Sequence, residues 1–233
     1  MIESSRPMDP TRGLELLKGL TPDHAERLLE QAQFQSHRHH EVVVDAGEAA
    51  DSFFLVISGC YKLLKPGPAQ TQTLLSFATA NEPIGFLMMA TEQSRYPVTI
   101  EALGPSSLFR IPRQTYLKHW LTDPTMMQKM HLAVMKRCHG FHSDRSLQHL
   151  ALPGRIAGFL LRCLELHPSE NGNVLKYPLT RKEIAEAVGS HTESVIRVIS
   201  AWQKKGWLTT SDRSLEITRP DRLAEFLKKT DAP

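Results

Sequence analysis

The chain has 233 residues, 41% of them hydrophobic, and a formal net charge of +3. That is apolar material for one good core or two smaller ones, and at this length two domains are the better expectation. The net charge is too small to announce a nucleic-acid partner, but it is unevenly placed: residues 1–150 carry 15 bases and 15 acids, whereas residues 151–233 carry 13 bases against 10 acids. All the net positive charge thus lies in the last third, a mild pointer to a polyanion there.

The opening Met1-Ile2-Glu3-Ser4-Ser5-Arg6-Pro7 has an acid where a signal peptide wants bases, and no apolar run approaches the ~18 residues of a membrane span. The sequence therefore reads as soluble and cytoplasmic, with no membrane partner. Cys60, Cys138 and Cys163 are isolated and odd in number, which fits a reducing compartment and excludes a disulfide framework.

A first helix is announced by Thr21-Pro22-Asp23, with Thr as cap and Pro in the first helical position. Apolar residues recur at Ala25, Leu28, Leu29 and Ala32, toward an expected end near Phe34. From Gln35 to Pro112 the pattern changes to short apolar or alternating runs over 41–44, 52–57, 60–64, 73–77, 98–102 and 107–111. Turn signals separate them at Ala46-Gly47-Glu48, Ser58-Gly59, Lys65-Pro66-Gly67-Pro68, Asn81-Glu82-Pro83 and Leu103-Gly104-Pro105. Many short strands at regular spacing predict an antiparallel barrel or sandwich.

After Pro112 the strand signal stops, and residues 125–149 predict one long helix. Met127, Met130, Val134, Cys138 and Phe141 fall along it at spacings of 3, 4, 4 and 3, a near-heptad seam expected to meet its own copy in a dimer. The alternative is that the seam packs on the barrel alone. Leu152-Pro153-Gly154 reads as a hinge opening a fresh helix, with Ile156, Phe159, Leu160, Cys163 and Leu164 on one face. The expected organisation is a sensor domain over 1–122, a dimerisation helix over 123–150 and a DNA-binding domain over 151–233.

Thr180-Arg181-Lys182-Glu183 is a capping box opening a short helix with Ile184, Ala185 and Val188 inward, and Gly189 supplies the turn that stops it. Ser190-His191-Thr192-Glu193 offers a second box, so another helix is expected to start at once and run to about Lys205. Helix, tight turn, helix is the helix-turn-helix unit. In its second helix Val195, Ile199 and Trp202 face the core, which leaves Thr192, Glu193, Ile196, Arg197 and Ser200 outward. Arg197 can fork onto guanine O6 and N7, Glu193 can accept from a cytosine amine, and Ile196 can touch a thymine methyl. An ordinary i,i+4 ion pair between Glu193 and Arg197 is the plainer alternative. Trp207-Leu208-Thr209 and Leu215-Glu216-Ile217 flank a predicted hairpin, the wing. Thr180, Arg181, Lys182, Arg213 and the amides of Ser190, His191 and Thr192 are candidate phosphate contacts.

The order of elements resembles the Crp–Fnr family of bacterial transcription regulators from about Gly13 to Leu227. The stretches that carry the likeness are Gly47-Glu48 with Phe53-Phe54-Leu55-Val56-Ile57-Ser58-Gly59, then Ile84-Gly85-Phe86, Gly154-Arg155-Ile156-Ala157, and Leu179-Thr180-Arg181-Lys182-Glu183-Ile184-Ala185 leading into Glu193-Ser194-Val195-Ile196-Arg197. The resemblance implies an α+β chain: an N-terminal cyclic-nucleotide-binding-like antiparallel β-barrel of jelly-roll type, a long dimerisation helix and a C-terminal winged helix-turn-helix. It also implies a homodimer on near-palindromic duplex DNA, an activator that engages RNA polymerase, and Glu193 and Arg197 as base readers.

The sensor departs from the family pattern. Cyclic-nucleotide-binding members place a Glu after the cassette Gly and an Arg-Ser or Arg-Thr pair further on, whereas here Gly85 is followed by Phe86 and the later stretch reads Arg95-Tyr96-Pro97. This argues against cyclic AMP, which would leave a hydroxyl desolvated and an anion poorly paired. Gly85, Phe86, Leu87, Arg95, Tyr96, Met130 and Val134 are the candidate effector-pocket residues. An iron–sulfur cluster is excluded because no cysteine precedes Cys60. The cassette is closer to the nitric-oxide and nitrate-respiration branch, some of which are thought to use haem. The clustered His37, His39 and His40, with His131, His139 and His142 on the long helix, leave haem or another metal open. His37, His39 and Glu41 on a barrel also allow a cupin-like metalloenzyme, but the Glu comes too early and no later strand offers a His. No nucleophilic triad or phosphate-binding loop appears, so no enzyme is expected. A winged helix that binds protein instead of DNA is a second rival, against which the exposed Glu193 and Arg197 argue.

Overall fold

The computed structural model describes residues 14–67, 72–147, 149–166, 173–175, 179–211 and 214–228, with the backbone alone at 136, 138–147, 166, 211, 214 and 228. Two compact units divide the chain, one of Met1–Leu63 with Phe77–Val134, the other of Leu64–Ser76 with Met135–Pro233.

The first unit opens with a short 3₁₀ turn, Glu15–Leu17, and helix α1, Pro22–Leu28. Thr21 caps α1 by accepting from the His24 amide, and Pro22 takes the first position as expected. The helix ends at Leu28 rather than near Phe34. Gln31 adopts a φ of 58°, which breaks the helical path, and residues 33–37 form an unanticipated strand instead. Eight strands follow in chain order: β1 Gln33–His37, β2 Val42–Val44, β3 Ser52–Ser58, β4 Cys60–Pro66, β5 Gln72–Thr79, β6 Pro83–Ile84, β7 Thr99–Ala102 and β8 Ser106–Pro112. They form two four-stranded sheets, ordered β1-β8-β3-β6 and β2-β7-β4-β5. The expected barrel is therefore not closed; it is a jelly-roll-like pair of sheets. The reverse turns sit where Gly47, Gly59 and Gly104, with φ of 92°, 76° and 84°, relieve the chain of Cβ strain.

Strand β3 explains the core. Phe53, Phe54, Leu55 and Val56 are each 0% exposed, a continuous apolar run that only a strand covered on both faces can hold. On one side Phe53 meets Tyr116 and Trp120 edge-to-face at 5.7 and 5.0 Å; on the other, Phe54 packs on Tyr96 at 5.8 Å. Tyr116 and Trp120 come from a turn of helix α2, Arg113–Thr115, that widens into a π-helical segment, Tyr116–Trp120.

Helix α3, Pro124–Leu147, corresponds to the predicted long helix. Its first turns and the π-helical segment before them are anchored to the N-terminal segment. Lys129 Nζ donates to the Leu16 and Lys18 carbonyls, Trp120 Nε1 donates to the Leu28 carbonyl, and Glu30 binds Lys118 and His119. Met126 and Met130 are 0% exposed in the first unit's core, with Val134 packed beside them. For Met130 this departs from the predicted seam: the side chain is buried in its own sensor core and exposes no surface to a second copy. Met127 is only partly exposed, while Leu132 and Met135, three residues apart, are each 53% exposed. The side chains of Cys138 and Phe141, like those of His139 and His142, lie outside those described.

In the second unit α4, Leu152–Leu166, buries Ile156, Ala157, Leu160, Cys163 and Leu164, whereas Phe159 is only half-buried. A Cβ at Gly154 would sit 3.0 Å from Leu150 Cβ and 3.4 Å from the Phe226 carbonyl, so a side chain there would crowd α7, Pro220–Lys228. Helices α5, Arg181–Val188, and α6, Thr192–Lys204, follow, then hairpin strands β9, Thr209–Ser211, and β10, Ser214–Glu216.

Asp123 starts α3. Its Oδ1 accepts from the Thr125 and Met126 amides at 2.8 and 3.1 Å, and its Oδ2 pairs with His24 Nε2 at 2.5 Å. Asp123→Ala is expected to cost about 1 kcal/mol and Asp123→Asn, which still caps, less; urea unfolding of the two variants beside wild type checks this.

Candidate DNA interface and sensor core

Helix α6 begins one turn after α5. The capping box forms as read, with Thr180 Oγ1 accepting from the Glu183 amide at 3.2 Å and the Glu183 carboxylate accepting from the Thr180 amide at 2.8 Å. Gly189 at φ 61° ends α5 in the left-handed region that glycine tolerates best. The second predicted box does not form. His191, not Ser190, is the cap residue of α6, and no side chain completes the cap. The orphan amides of the first turn are thereby left for solvent or a ligand.

Val195, Ile199 and Trp202 are buried, and the opposite face carries Glu193, Ile196 and Arg197, all exposed, flanked by half-exposed Thr192 and Ser200. Among the described residues Glu193 and Arg197 form no ion pair, so the plainer reading of that spacing fails. Arg197 Nη2 instead donates to Ser194 Oγ at 3.3 Å, which leans the guanidinium along the helix. Ser194 was not singled out in the sequence. Lys182 is exposed and only loosely paired with Glu186 at 3.9 Å, whereas Arg181 is half-buried and donates to Thr210 of β9 at 3.1 Å. Thr180 and His191 are exposed and Ser190 is half-exposed at the turn. Arg213 lies outside the described residues. Behind this face Trp202, Phe226 and Trp207 pack with ring centroids 5.4 to 6.4 Å apart. Lys205 Nζ sits 4.6 Å over the Trp207 ring, and Leu175 donates to the Leu215 carbonyl, adding 173–175 to the wing.

In the first unit the candidate effector residues fall into two groups. Phe86, Tyr96 and Met130 are buried in a single apolar cluster, with Val134 packed against it. Tyr96 donates its hydroxyl to the Ser52 carbonyl at 2.6 Å, and burial pushes that hydroxyl up to about 12. Its ring carbon lies 3.3 Å from where a Gly85 Cβ would stand. Leu87, by contrast, is 55% exposed, and Arg95 Nη1 donates to the Gly47 carbonyl at 2.6 Å. These two are not brought into the cluster.

The three clustered histidines also part company. His37 Nδ1 is 3.0 Å from the Tyr61 hydroxyl, His39 Nδ1 accepts from the Gly104 amide, and His40 Nδ1 is 2.7 Å from Glu101 Oε1. Burial holds His37 below its ordinary value. Among the described residues no group of three or more His, Cys, Asp and Glu is placed to hold a metal ion.

The chain matches the model of the Crp-like helix-turn-helix domain over residues 154–226 and that of the cyclic nucleotide-binding domain over residues 34–122. It is 26% identical over 219 residues to a CRP-like cAMP-activated global transcriptional regulator of Mycobacterium tuberculosis (strain ATCC 25618 / H37Rv), covering 90% of this chain and 94% of that one. Against the transcriptional activator protein FnrA of Stutzerimonas stutzeri it is 27% identical over 184 residues, 76% of this chain and 73% of the other. The chain belongs to the CRP/FNR family of transcription regulators. The structure of FixK2 from Bradyrhizobium japonicum has the same fold, with a TM-score of 0.72 at 19% identity over 84% of this chain and 96% of that one.

This CRP/FNR regulator therefore joins a sensor domain of the cyclic nucleotide-binding type to a DNA-binding helix-turn-helix domain. The sensor core carries one buried charge pair that sequence reading missed. Lys62 of β4 is 4% exposed, and its Nζ lies 2.5 Å from Glu101 Oε1 on the neighbouring strand β7. Lys62 sits inside the buried, otherwise apolar stretch Cys60–Leu64 of β4, and only the sheet order brings Glu101 to it. Burial pushes the Glu101 carboxyl up, but hydrogen bonds from His40 and Lys62 outweigh this and hold it below the ordinary carboxylate value. A depressed folded value contributes stability above the ordinary carboxylate range, and that contribution is lost as pH falls through the folded value. Glu101→Gln is expected to destabilise by on the order of 2 kcal/mol at pH 7, less than a fully buried broken pair because Glu101 is partly wetted. The gap to wild type should close as pH drops below about 4, which urea titrations across pH 3–7 would show.

Proposed function

We propose that the protein is a homodimer that reads a near-palindromic duplex site through two copies of α6, one per half-site. What supports this is the division of α6 itself: Val195, Ile199 and Trp202 bury one face and leave Glu193, Ile196 and Arg197 free on the other. Arg197 forks onto a guanine, Glu193 accepts from a cytosine amine and Ile196 contacts a thymine methyl. Thr192 and Ser200 border the read bases. Thr180, Arg181, Lys182, Arg213 and the amides of Ser190, His191 and Thr192 hold the phosphates. The domain limits remain 1–122, 123–150 and 151–233. A face exposing Arg and Glu suits base edges better than it suits a protein partner, and the chain acts by binding, not catalysis. Activation by contact with RNA polymerase in the cytoplasm completes the reading. Among the described residues no helix is long and apolar enough to cross a membrane.

The second copy packs on α3 through Leu132 and Met135, the exposed apolar pair on the side away from Met126 and Met130. Two recognition helices serving one palindrome must stand ~34 Å apart, and a signal in the sensor domain alters that spacing through α3 and the Pro153-Gly154 break.

The signal is something other than cyclic AMP, although a relative carries that ligand in its name. Phe86 stands where the ribose carboxylate would be needed and is 6% exposed, Tyr96 crowds Gly85, and Arg95 is turned to the Gly47 carbonyl. A nucleotide would have to displace packed aromatic carbon and still find no acceptor for its hydroxyl.

Two measurements test the reading. Arg197→Ala is expected to cost ~1–3 kcal/mol on the preferred site and to relax preference at one guanine; equal preference in binding-site selection by the two proteins would refute the assignment. Leu132→Glu with Met135→Glu should turn a dimer into a monomer in sedimentation while leaving the helix content intact, because the charges meet no partner in the single chain; a variant that stays dimeric would place the interface elsewhere.

A further inference from the structure

One wing hydroxyl gathers the three elements of the DNA-binding domain. Arg181, the first residue of α5, donates from Nη2 to Thr210 Oγ1 at 3.1 Å. Gln203, next to last in α6, donates from Nε2 to the same oxygen at 3.2 Å. A hydroxyl oxygen has two lone pairs and one hydrogen, so both acceptor sites are taken and the O–H remains a donor. Thr210 lies opposite Leu215 in the hairpin, where Leu215 is buried and Thr210 exposed. Gln203 thus ties the wing to the end of the reading helix, and Arg181 ties it to the start of the helix before.

Arg181 differs from its neighbour Lys182 in the way that matters for a phosphate contact. Lys182 is exposed and its described partner is Glu186, at a loose 3.9 Å. Arg181 is half-buried, and among the described residues its hydrogen bond to Thr210 is the one that fixes its plane. A guanidinium held at one nitrogen keeps its other N–H donors in a rigid fork, the geometry a phosphate accepts at two oxygens. Left loose, the same side chain would have to lose rotamer freedom at every encounter.

We propose that Thr210 is a positioning residue, anchored by Gln203, that presents the Arg181 guanidinium to the DNA backbone. The proposal rests on the DNA-binding reading above and adds to it a residue that touches no base. Phosphates are the same at every step of a duplex, so this contact raises affinity for all sequences alike and carries one unit of salt dependence.

The test uses the full-length protein and two probes, a duplex selected by the wild type from a random-sequence library and a scrambled duplex of the same composition. Thr210→Val, which keeps the shape and removes the acceptor, is expected to weaken both probes about five-fold, the worth of one oriented hydrogen bond. It should lower the slope of log affinity against log salt by about 0.9, one phosphate. Thr210→Ser should restore wild-type affinity and slope, and Thr210→Val in an Arg181→Ala background should add nothing. The proposal is overturned if Thr210→Val binds like wild type, if it weakens the selected duplex alone, or if its effect adds fully to that of Arg181→Ala. A slope unchanged by Arg181→Ala overturns it too, and so does a melting temperature lowered equally by the Val and Ser variants. Should the wild type ignore both duplexes at low salt, the DNA-binding reading itself falls, an outcome distinct from all of these.

Discussion

The structure of the DNA-binding domain depends on one packing constraint, the burial of Val195, Ile199 and Trp202 along a single stripe of α6. At 3.6 residues per turn, a slip of one position would rotate the helix by about 100° and drive Arg197 or Glu193 inward. Trp202 makes that slip costly. Its ring packs 5.4 Å from Phe226 of α7 and 6.4 Å from Trp207, and no smaller side chain could satisfy both neighbours. The phase of the helix is thus set by apolar volume at its back, and the chemistry on its front is aimed as a consequence. The same economy explains why no side chain caps the start of α6. Its orientation is already held from behind, so the first-turn amides need not be spent on a Ser or Asp and remain for an anion.

A similar argument from volume governs the sensor. In a cyclic nucleotide-binding fold, the segment after β6 can either line a polar pocket or join the core. Here Phe86 and Met89 have joined the core, together with Tyr96 from the loop before β7. Arg95, outside this cluster, donates to the Gly47 carbonyl. The sheltered charge described in this domain lies elsewhere, in the Lys62–Glu101 pair across β4 and β7 with His40 at its exposed end. Two ions so sheltered stabilise only in each other's company, so losing one partner costs more than the intact pair adds.

The sequence was most informative where one local rule dominated. Thr180 and Glu183 named the start of α5, Gly189 its end, and the spacing of Val195, Ile199 and Trp202 told which side of α6 is wet. It was least informative where distant strands decide. Phe34 looked like the end of a helix because its neighbours Leu28, Leu29 and Ala32 are apolar, yet it lies in β1, where pairing with β8 brings it 6.1 Å from Phe109. Met130 looked like a partner contact because the heptad count included it. The count cannot tell which side of a long helix its own barrel will claim, and the residues left outside, Leu132 and Met135, are too few to form a periodic signal of their own. Ser190 looked like a cap for the same reason that Thr180 was one, but the Gly189 turn places His191 at that position instead.

The candidate contacts then sort by rigidity, and rigidity predicts their roles. Discrimination between bases needs donors and acceptors fixed to within a few tenths of an ångström, because a flexible group adapts to right and wrong partners alike. Glu193, Ile196 and Arg197 meet that requirement by standing on a helix clamped from behind, with Ser194 steadying the arginine. Attraction to a duplex needs only charge near phosphate, and Lys182, exposed and loosely paired, supplies it without order. Arg181 stands between the two kinds. It is anchored by Thr210 but lies at the start of α5 and not on the outward face of α6, so in the proposed reading its precision serves the DNA backbone. On the proposed reading, an ordered phosphate contact sets the angle at which α6 enters the groove, and Arg197 meets a guanine edge squarely only if that angle is held.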